Sequence, residues 1–363
     1  MKTEQLLTEL RSNYSSNITS ADIRGFCASR GVSYPTVVKK LDDYKISRGK
    51  WNLDLTVEKE ILEKTMASPS AIPANEQNLI PKKDDNFVKF GNFSDIKKII
   101  QSNLFYPTFV TGLSGNGKTF SIEQACAQLG RELIRVNMTI ETDESDLIGS
   151  MRLTDPRGNT VTEWEDGPVV TAMKRGAILL LDEVDLASNK ILCLQPVLEG
   201  SGLYVKLAGM YVKPAKGFNV IATANTKGKG SEDGRFIGTN VLNEAFLERF
   251  AVTFEQEYPS SSVETKLLIK YAKSLGIEDD VFCKRLADWG WGVRKTFHED
   301  AIDEIISTRR LVHILRAYSI FNDKAKAINI CLNRFDDDTR QSFMDLYAAV
   351  DIDVDFQESQ ENN

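Results

Sequence analysis

The chain has 363 residues, 42% of them hydrophobic and 27% charged, with a formal net charge of −7. Such proportions suit a soluble globular protein of two or three domains, and no apolar run approaches the ~20 residues that span a bilayer. The five scattered cysteines never form a Cys-x-x-Cys pair, and His298 and His313 are the only histidines, which sets aside disulfide frameworks, zinc sites and histidine-based metal chemistry. With no signal-peptide core at the N-terminus, the expected compartment is the cytoplasm.

Residues 1–56 read as a small separate unit. Asp22 to Arg30 suits a short helix ended by Gly31, and Ser33 with Pro35 opens a second helix running to Leu41. Two short helices around a glycine turn resemble a helix-turn-helix. Up to Lys50 there are nine Lys and Arg against five Asp and Glu, with Lys39, Lys40, Lys45, Arg48 and Lys50 flanking the second helix. A local positive unit in an acidic chain suggests nucleic acid; the alternative is a protein-docking module with a solvated basic face. Residues 57–85 follow as a charged helix (57–66) and a linker bearing Pro69, Pro73 and Pro81.

From residue 86 the pattern becomes α/β. Phe87 to Gly91 enters the core and Ser94 to Ile100 forms a helix. Phe105 to Val110 is an apolar run rich in β-branched and aromatic residues, as a buried strand requires. Thr111-Gly112-Leu113-Ser114-Gly115-Asn116-Gly117-Lys118-Thr119 comes next, followed by a helix from Phe120 that closes at Gly130. Strand, glycine-rich loop and helix in that order are the context of a phosphate-binding loop. Gly112, Ser114, Gly115, Asn116, Gly117 and Phe120 would line it, and its N–H groups and helix N-terminus would face the phosphates. Lys118 would neutralise charge, and the Thr119 hydroxyl would hold Mg²⁺.

Glu132 to Met138 is a second strand. Ser150 to Thr154 and Thr160 to Trp164 form a hairpin about the Asp155–Asn159 turn, and Pro168 to Lys174 is a helix. Ala177 to Leu181 is a central buried strand ending in Asp182 and Glu183, acids that emerge at the edge where α/β sheets bind ligands. There Asp182 suits Mg²⁺ and Glu183 suits a general base for water. After a hairpin over Gly202 to Lys213, the strand Gly217 to Ala224 delivers Asn225 to the same edge, where its amide can hold water or a phosphate.

Four glycines with Lys227, Lys229 and Arg235 make 226–240 a mobile basic loop. Leu242 to Phe250 is a short helix containing Arg249. Ser261-Ser262-Val263-Glu264 reads as a capping box, and the chain is helical onward to about Phe335. Ser307 caps a helix whose first turn holds Arg309 and Arg310, charges that oppose the helix dipole and point to a phosphate. Residues 336–363 read as an acidic C-terminal segment, disordered at its end.

The ordered motifs resemble the AAA+ ATPases over about residues 86–335. Gly112 to Thr119 is similar to Walker A, Leu179 to Glu183 to Walker B, Asn225 to sensor 1, Ala245 to Phe250 to the arginine-finger motif, and Ser307-Thr308-Arg309 to the start of the sensor-2 helix. The two hairpins, with Glu144 to Gly149 and Ile221 to Thr226, resemble the MoxR and cobalt-chelatase CobS-like branch, and the phosphate loop is most like that of CobS-like proteins of tailed bacteriophages. The resemblance implies an AAA+ core over 86–258 (a parallel sheet between helices), a helical lid over 259–335, ATP and Mg²⁺ as ligands, and a homo-oligomeric ring, a hexamer. It places Arg249 at the neighbouring subunit's γ-phosphate, Arg235 at the interface, and Asn137 where it restrains the Walker B glutamate. It implies a partner with a von Willebrand-type domain, no membrane, and a host cytoplasm if a phage encodes the chain. Three functions compete: a protein remodeller, a nucleic-acid motor or loader using the basic N-terminal unit, and a non-cycling scaffold, which Glu183 and Arg249 argue against.

Overall fold

The computed structural model describes residues 3–14, 17–41, 44–47, 49–53, 78–154, 161–230, 238–299 and 301–351. The helix expected over 57–66, the linker up to residue 77, the Asp155–Asn159 turn, Arg48, Arg235 and the tail beyond Asp351 lie outside them. The chain divides into two units, residues 1–77 and 78–363.

The first unit runs α1 (Thr3–Asn13), β1 (Asn17–Thr19), α2 (Ser20–Arg30), α3 (Tyr34–Lys40), β2 (Lys45–Ser47) and β3 (Lys50–Asn52). Thr19 and Asp22 cap α2 reciprocally, and these bonds hold the Asp22 carboxyl below its usual range. Gly31, at φ +66°, ends α2 in the left-handed conformation that glycine adopts without strain. Leu6, Leu10, Ile18, Ile23, Phe26, Val37, Leu41 and Trp51 form one core. The helix pair is there as expected, but it is joined by a three-stranded antiparallel sheet in the order β1-β3-β2. Strands of three residues carry too little alternation to be read from sequence.

In the second unit α4 (Phe93–Ser102), β4 (Thr108–Thr111), α5 (Lys118–Leu129), β5 (Leu133–Asn137), α6 (Glu144–Leu147), the hairpin β6 (Gly149–Thr154) and β7 (Val161–Asp166), α7 (Pro168–Arg175) and β8 (Ile178–Asp182) come first. Then come α8 (Gln195–Leu198), the hairpin β9 (Leu203–Val205) and β10 (Met210–Val212), β11 (Asn219–Ala224), α9 (Glu244–Leu247) and β12 (Val252–Glu255). Five parallel strands align as β12-β4-β11-β8-β5. Their residues alternate between faces: Ile178 and Leu180 pack with α4 and α5, while Leu179 and Leu181 pack with α7. This makes an α/β layered core. The register pairs Asn137 with Asp182 and Ala224 with Thr111, so the C-terminal ends of four strands share one edge.

The lid comprises α10 (Ser261–Ser274), α11 (Asp280–His298), α12 (Thr308–Phe321), α13 (Lys324–Leu332) and α14 (Asp337–Val350). Two expectations change here. The expected capping box does not form, because Glu264 is fully buried and both its oxygens face Arg294, at 2.8 and 2.9 Å, so it cannot reach back to the cap. The segment from 336 is not a separate acidic tail. Asp336 caps α14, whose Phe343, Met344 and Tyr347 complete the lid core, so the lid extends through Asp351. The Tyr347 ring meets Trp289 edge-on at 5.2 Å, and the Trp289 indole donates to the Phe343 carbonyl at 2.9 Å.

Tyr347→Ala should therefore destabilise the protein by about 3–5 kcal/mol, as removal of a buried aromatic does. Urea unfolding followed by near-UV circular dichroism measures this; an unchanged midpoint would return α14 to the status of an appendage.

Candidate active site

The shared strand edge opens into a cleft of about 480 Å³. Ser114 to Phe120 form its floor, Asp182, Glu183, Asn137 and Asn225 come from the strand ends, and Arg309 enters from the lid. Gly112 does not line it. A Cβ on Gly112 would stand 2.2 Å from the Gln256 carbonyl, so glycine is there for close backbone packing. The Asn116 side chain is likewise structural: it is buried and donates to that same carbonyl at 2.5 Å, which leaves its backbone to face a ligand.

Lys118 begins α5 and folds back over the loop. Its ammonium donates to the carbonyls of Gly112 (2.5 Å) and Leu113 (2.9 Å) and to the Asn225 amide oxygen (3.2 Å). Burial pushes its pKa down to about 8, against the opposing pull of Asp185, Asp182 and Glu183.

Asp182 is a three-way node. One carboxylate oxygen accepts from Thr119 Oγ1 at 2.8 Å and from Thr223 Oγ1; the other meets Arg135 at 2.5 Å. Arg135 also pairs with Glu123 at 3.1 Å and donates to Asn137 at 2.9 Å, so Asn137 is engaged by Arg135. The Thr119 hydroxyl beside the Asp182 carboxyl is an oxygen pair suited to Mg²⁺, which retains waters and takes phosphate oxygens for the rest. Among the described residues no group of three or more His, Cys, Asp or Glu converges on a metal, and none is needed for that mode of binding. Glu183 is exposed at φ +57°, with its N–H on Thr223 Oγ1 at 3.2 Å. A non-glycine residue in this left-handed region is uncommon, and it carries the carboxylate past the strand end. Asn225 is fixed from below by Asp185, which is fully buried and accepts from the N–H groups of Asn225 and Thr226, each at 2.9 Å.

Arg309 is brought to the cleft as expected, and Arg310 is absent from its lining. Arg249 does not line the cleft either; its guanidinium pairs with Glu199 at 2.8 Å and donates to the Ala245 carbonyl. In the basic loop, Lys227 pairs with Glu255 at 2.8 Å.

Reading the sequence missed the apolar part of the cleft lining. Phe87, Val88, Phe90, Leu267, Tyr271 and Val312 give the cleft an apolar end fit for a planar base. Phe120 belongs to it, meeting the Phe87 ring at 5.7 Å. Arg135, Thr223 and Asp185 were missed too. A charge inside the apolar run Leu133-Ile134-Arg135-Val136 was the available signal for the first; the others gave none.

A family profile described as "AAA domain (dynein-related subfamily)" matches residues 107–250. The aerobic cobaltochelatase subunit CobS of a Sinorhizobium species is 29% identical, over 66% of this chain and 74% of its own length. An uncharacterized protein of Staphylococcus saprophyticus is 26% identical, over 69% of this chain and 91% of its own. Among solved structures, the RuvB Holliday junction branch migration motor of Thermotoga maritima aligns at a TM-score of 0.43 and 14% identity, covering 74% of this chain and 73% of that one. Among the described residues no helix is long and apolar enough to cross a membrane.

The low Lys118 pKa makes binding pH-dependent. A phosphate favours the ammonium and raises its pKa in the complex, so above about pH 8 binding must take up a proton. ATP affinity should fall as pH rises beyond about 8, approaching tenfold per unit. Titration of a fluorescent ATP analogue between pH 7.5 and 9.5 tests this; a flat affinity contradicts it. In the lid, Glu264→Ala strands a buried Arg294 and should cost about 3–5 kcal/mol in thermal or urea unfolding.

Proposed function

We propose that the chain is an AAA+ ATPase in the branch of the CobS- and MoxR-like proteins, and from that premise we infer how its site is completed and what it drives. Protomers assemble into a ring, a hexamer, with ATP at each seam. One protomer supplies Lys118, Thr119, Asp182, Glu183, Asn225 and Arg309; the next supplies Arg249. The observation that carries this reading is that Arg249 stands outside its own cleft, on a half-exposed pair with Glu199 that another partner can replace.

Within the seam, Glu183 takes the proton of the attacking water and the Asn225 amide orients that water. Lys118, Arg309 and the neighbour's Arg249 offset charge that develops on the phosphate oxygens. Thr119 and Asp182 would hold Mg²⁺, which would supply charge neutralisation to the phosphates.

The work driven is remodelling of a protein partner, one carrying a von Willebrand-type domain. Support comes from the two hairpins, whose Met151, Leu153, Tyr204, Leu207 and Tyr211 are exposed apolar side chains, as contacts for a polypeptide should be. The CobS relative is a chelatase subunit; if that role extends here, the partner subunits carry the specificity, since no residue of the cleft speaks for a tetrapyrrole. A second reading, a nucleic-acid motor or loader, draws on the first unit. Its α1-β1-α2-α3-β2-β3 order is that of a winged helix, and Lys39, Lys45 and Lys50 are exposed on α3, β2 and β3.

Glu183→Gln should reduce ATP turnover by about a hundredfold or more while leaving ATP binding intact; full turnover would remove Glu183 from catalysis. Arg249→Ala should lose turnover comparably, and mixing the two inactive variants should restore part of it, because mixed seams pair an intact Glu183 with an intact Arg249. Duplex DNA should leave the rate unchanged. Salt-sensitive stimulation by DNA, lost in a Lys39→Glu, Lys50→Glu double variant, would instead favour the second reading.

A further inference from the structure

We propose that Tyr258 is a positioning residue that sets the orientation of the phosphate loop from the lid side. It lies between β12 and α10, and its hydroxyl donates to the Ser114 carbonyl at 2.5 Å. Tyr258 lines a separate cavity, with Gly112, Gln256 and Arg294, and forms no part of the cleft wall. It therefore holds Ser114 from the face of the loop away from the ligand.

The consequence follows from peptide geometry. In a planar trans peptide the C=O and the next N–H point in opposite directions. A Ser114 carbonyl held on the far side turns the Gly115 N–H toward the cleft, where a phosphate oxygen needs a donor. Gly115 sits at φ +73° and has no Cβ to restrict it, so nothing local prevents this peptide from turning over. The next carbonyl, of Gly115, accepts from the Arg309 N–H at 3.4 Å, again from the lid.

Tyr258 is itself fixed by the lid. The Arg294 guanidinium lies over its ring at 4.2 Å, a cation–π contact. Arg294 binds Glu264 through two bonds and the Ile306 carbonyl through a third, at 2.8 Å. Glu264 in turn accepts from Thr308 at 2.5 Å, the residue before Arg309. Burial raises the phenol pKa, so the hydroxyl remains a donor at neutral pH. The lid thus sets, through one buried network, both where Arg309 stands and how the loop peptide faces.

The test is Tyr258→Phe, which keeps the ring on Arg294 and removes only the bond to Ser114. This inference rests on the nucleotide reading of the cleft. ATP affinity should fall about five- to tenfold, the worth of one hydrogen bond, and KM should rise with kcat held. The melting temperature should stay within about 2 °C, as a 1 kcal/mol change implies at most a few degrees in a chain this long. With Arg309→Ala, the double variant should lose less than the product of the single losses. Wild-type protein that binds ATP alongside an unchanged Tyr258→Phe affinity would overturn the positioning role alone. Affinity and melting temperature collapsing together would make Tyr258 merely structural. Wild-type protein that binds no ATP would overturn the nucleotide reading and this inference with it.

Discussion

The structure depends on where the carbonyls of the phosphate loop point. Those of Gly112 and Leu113 accept from Lys118, that of Ser114 from Tyr258, and that of Gly115 from the Arg309 N–H. Each bond turns a neighbouring N–H away from itself, so the loop's donors are arranged by bonds to groups outside the nucleotide. The first two ties come from a lysine that a phosphate would draw away. The other two come from Tyr258, just before α10, and from Arg309 of the lid, and those remain available when the lysine leaves. Core and lid are joined at the floor of the cleft.

Charge at the strand ends follows the same logic. Asp182 is almost fully buried, a costly place for a carboxylate unless it is paired, and Arg135 with two threonine hydroxyls provides the pairing. Asp185, deeper still, spends one oxygen on the turn that carries Asn225. Glu183 alone of the three projects into the open, through a left-handed backbone that a strand would not adopt. Three acids within four residues of sequence are set apart by burial: one is paired, one braces a turn, one faces water.

The long-period and strictly spaced features were legible in the sequence. The Gly112–Thr119 spacing and the apolar run into Asp182 both specify their structures locally. What escaped was set by contacts distant in sequence. Glu264 resembled a cap partner because its spacing from Ser261 is right, yet Arg294, thirty positions away, takes both its oxygens. Residues 337–350 looked acidic because their exposed face is; Phe343 and Tyr347 disclose a helix only once Trp289 is known to lie against them. The apolar end of the cleft draws on Phe87, Leu267 and Val312, from three separate stretches of chain. The sheet of the first unit failed to register because three-residue strands have no period to read.

The central claim is that each site is shared, with Arg249 supplied across a subunit boundary. The most direct measurement is the ATPase rate per subunit across a wide range of protein concentration, with assembly followed in parallel by mass photometry. The rate should rise steeply as rings form, while ATP affinity stays nearly constant, because the binding residues belong to one chain. A rate per subunit that persists unchanged down to fully monomeric protein would contradict the account.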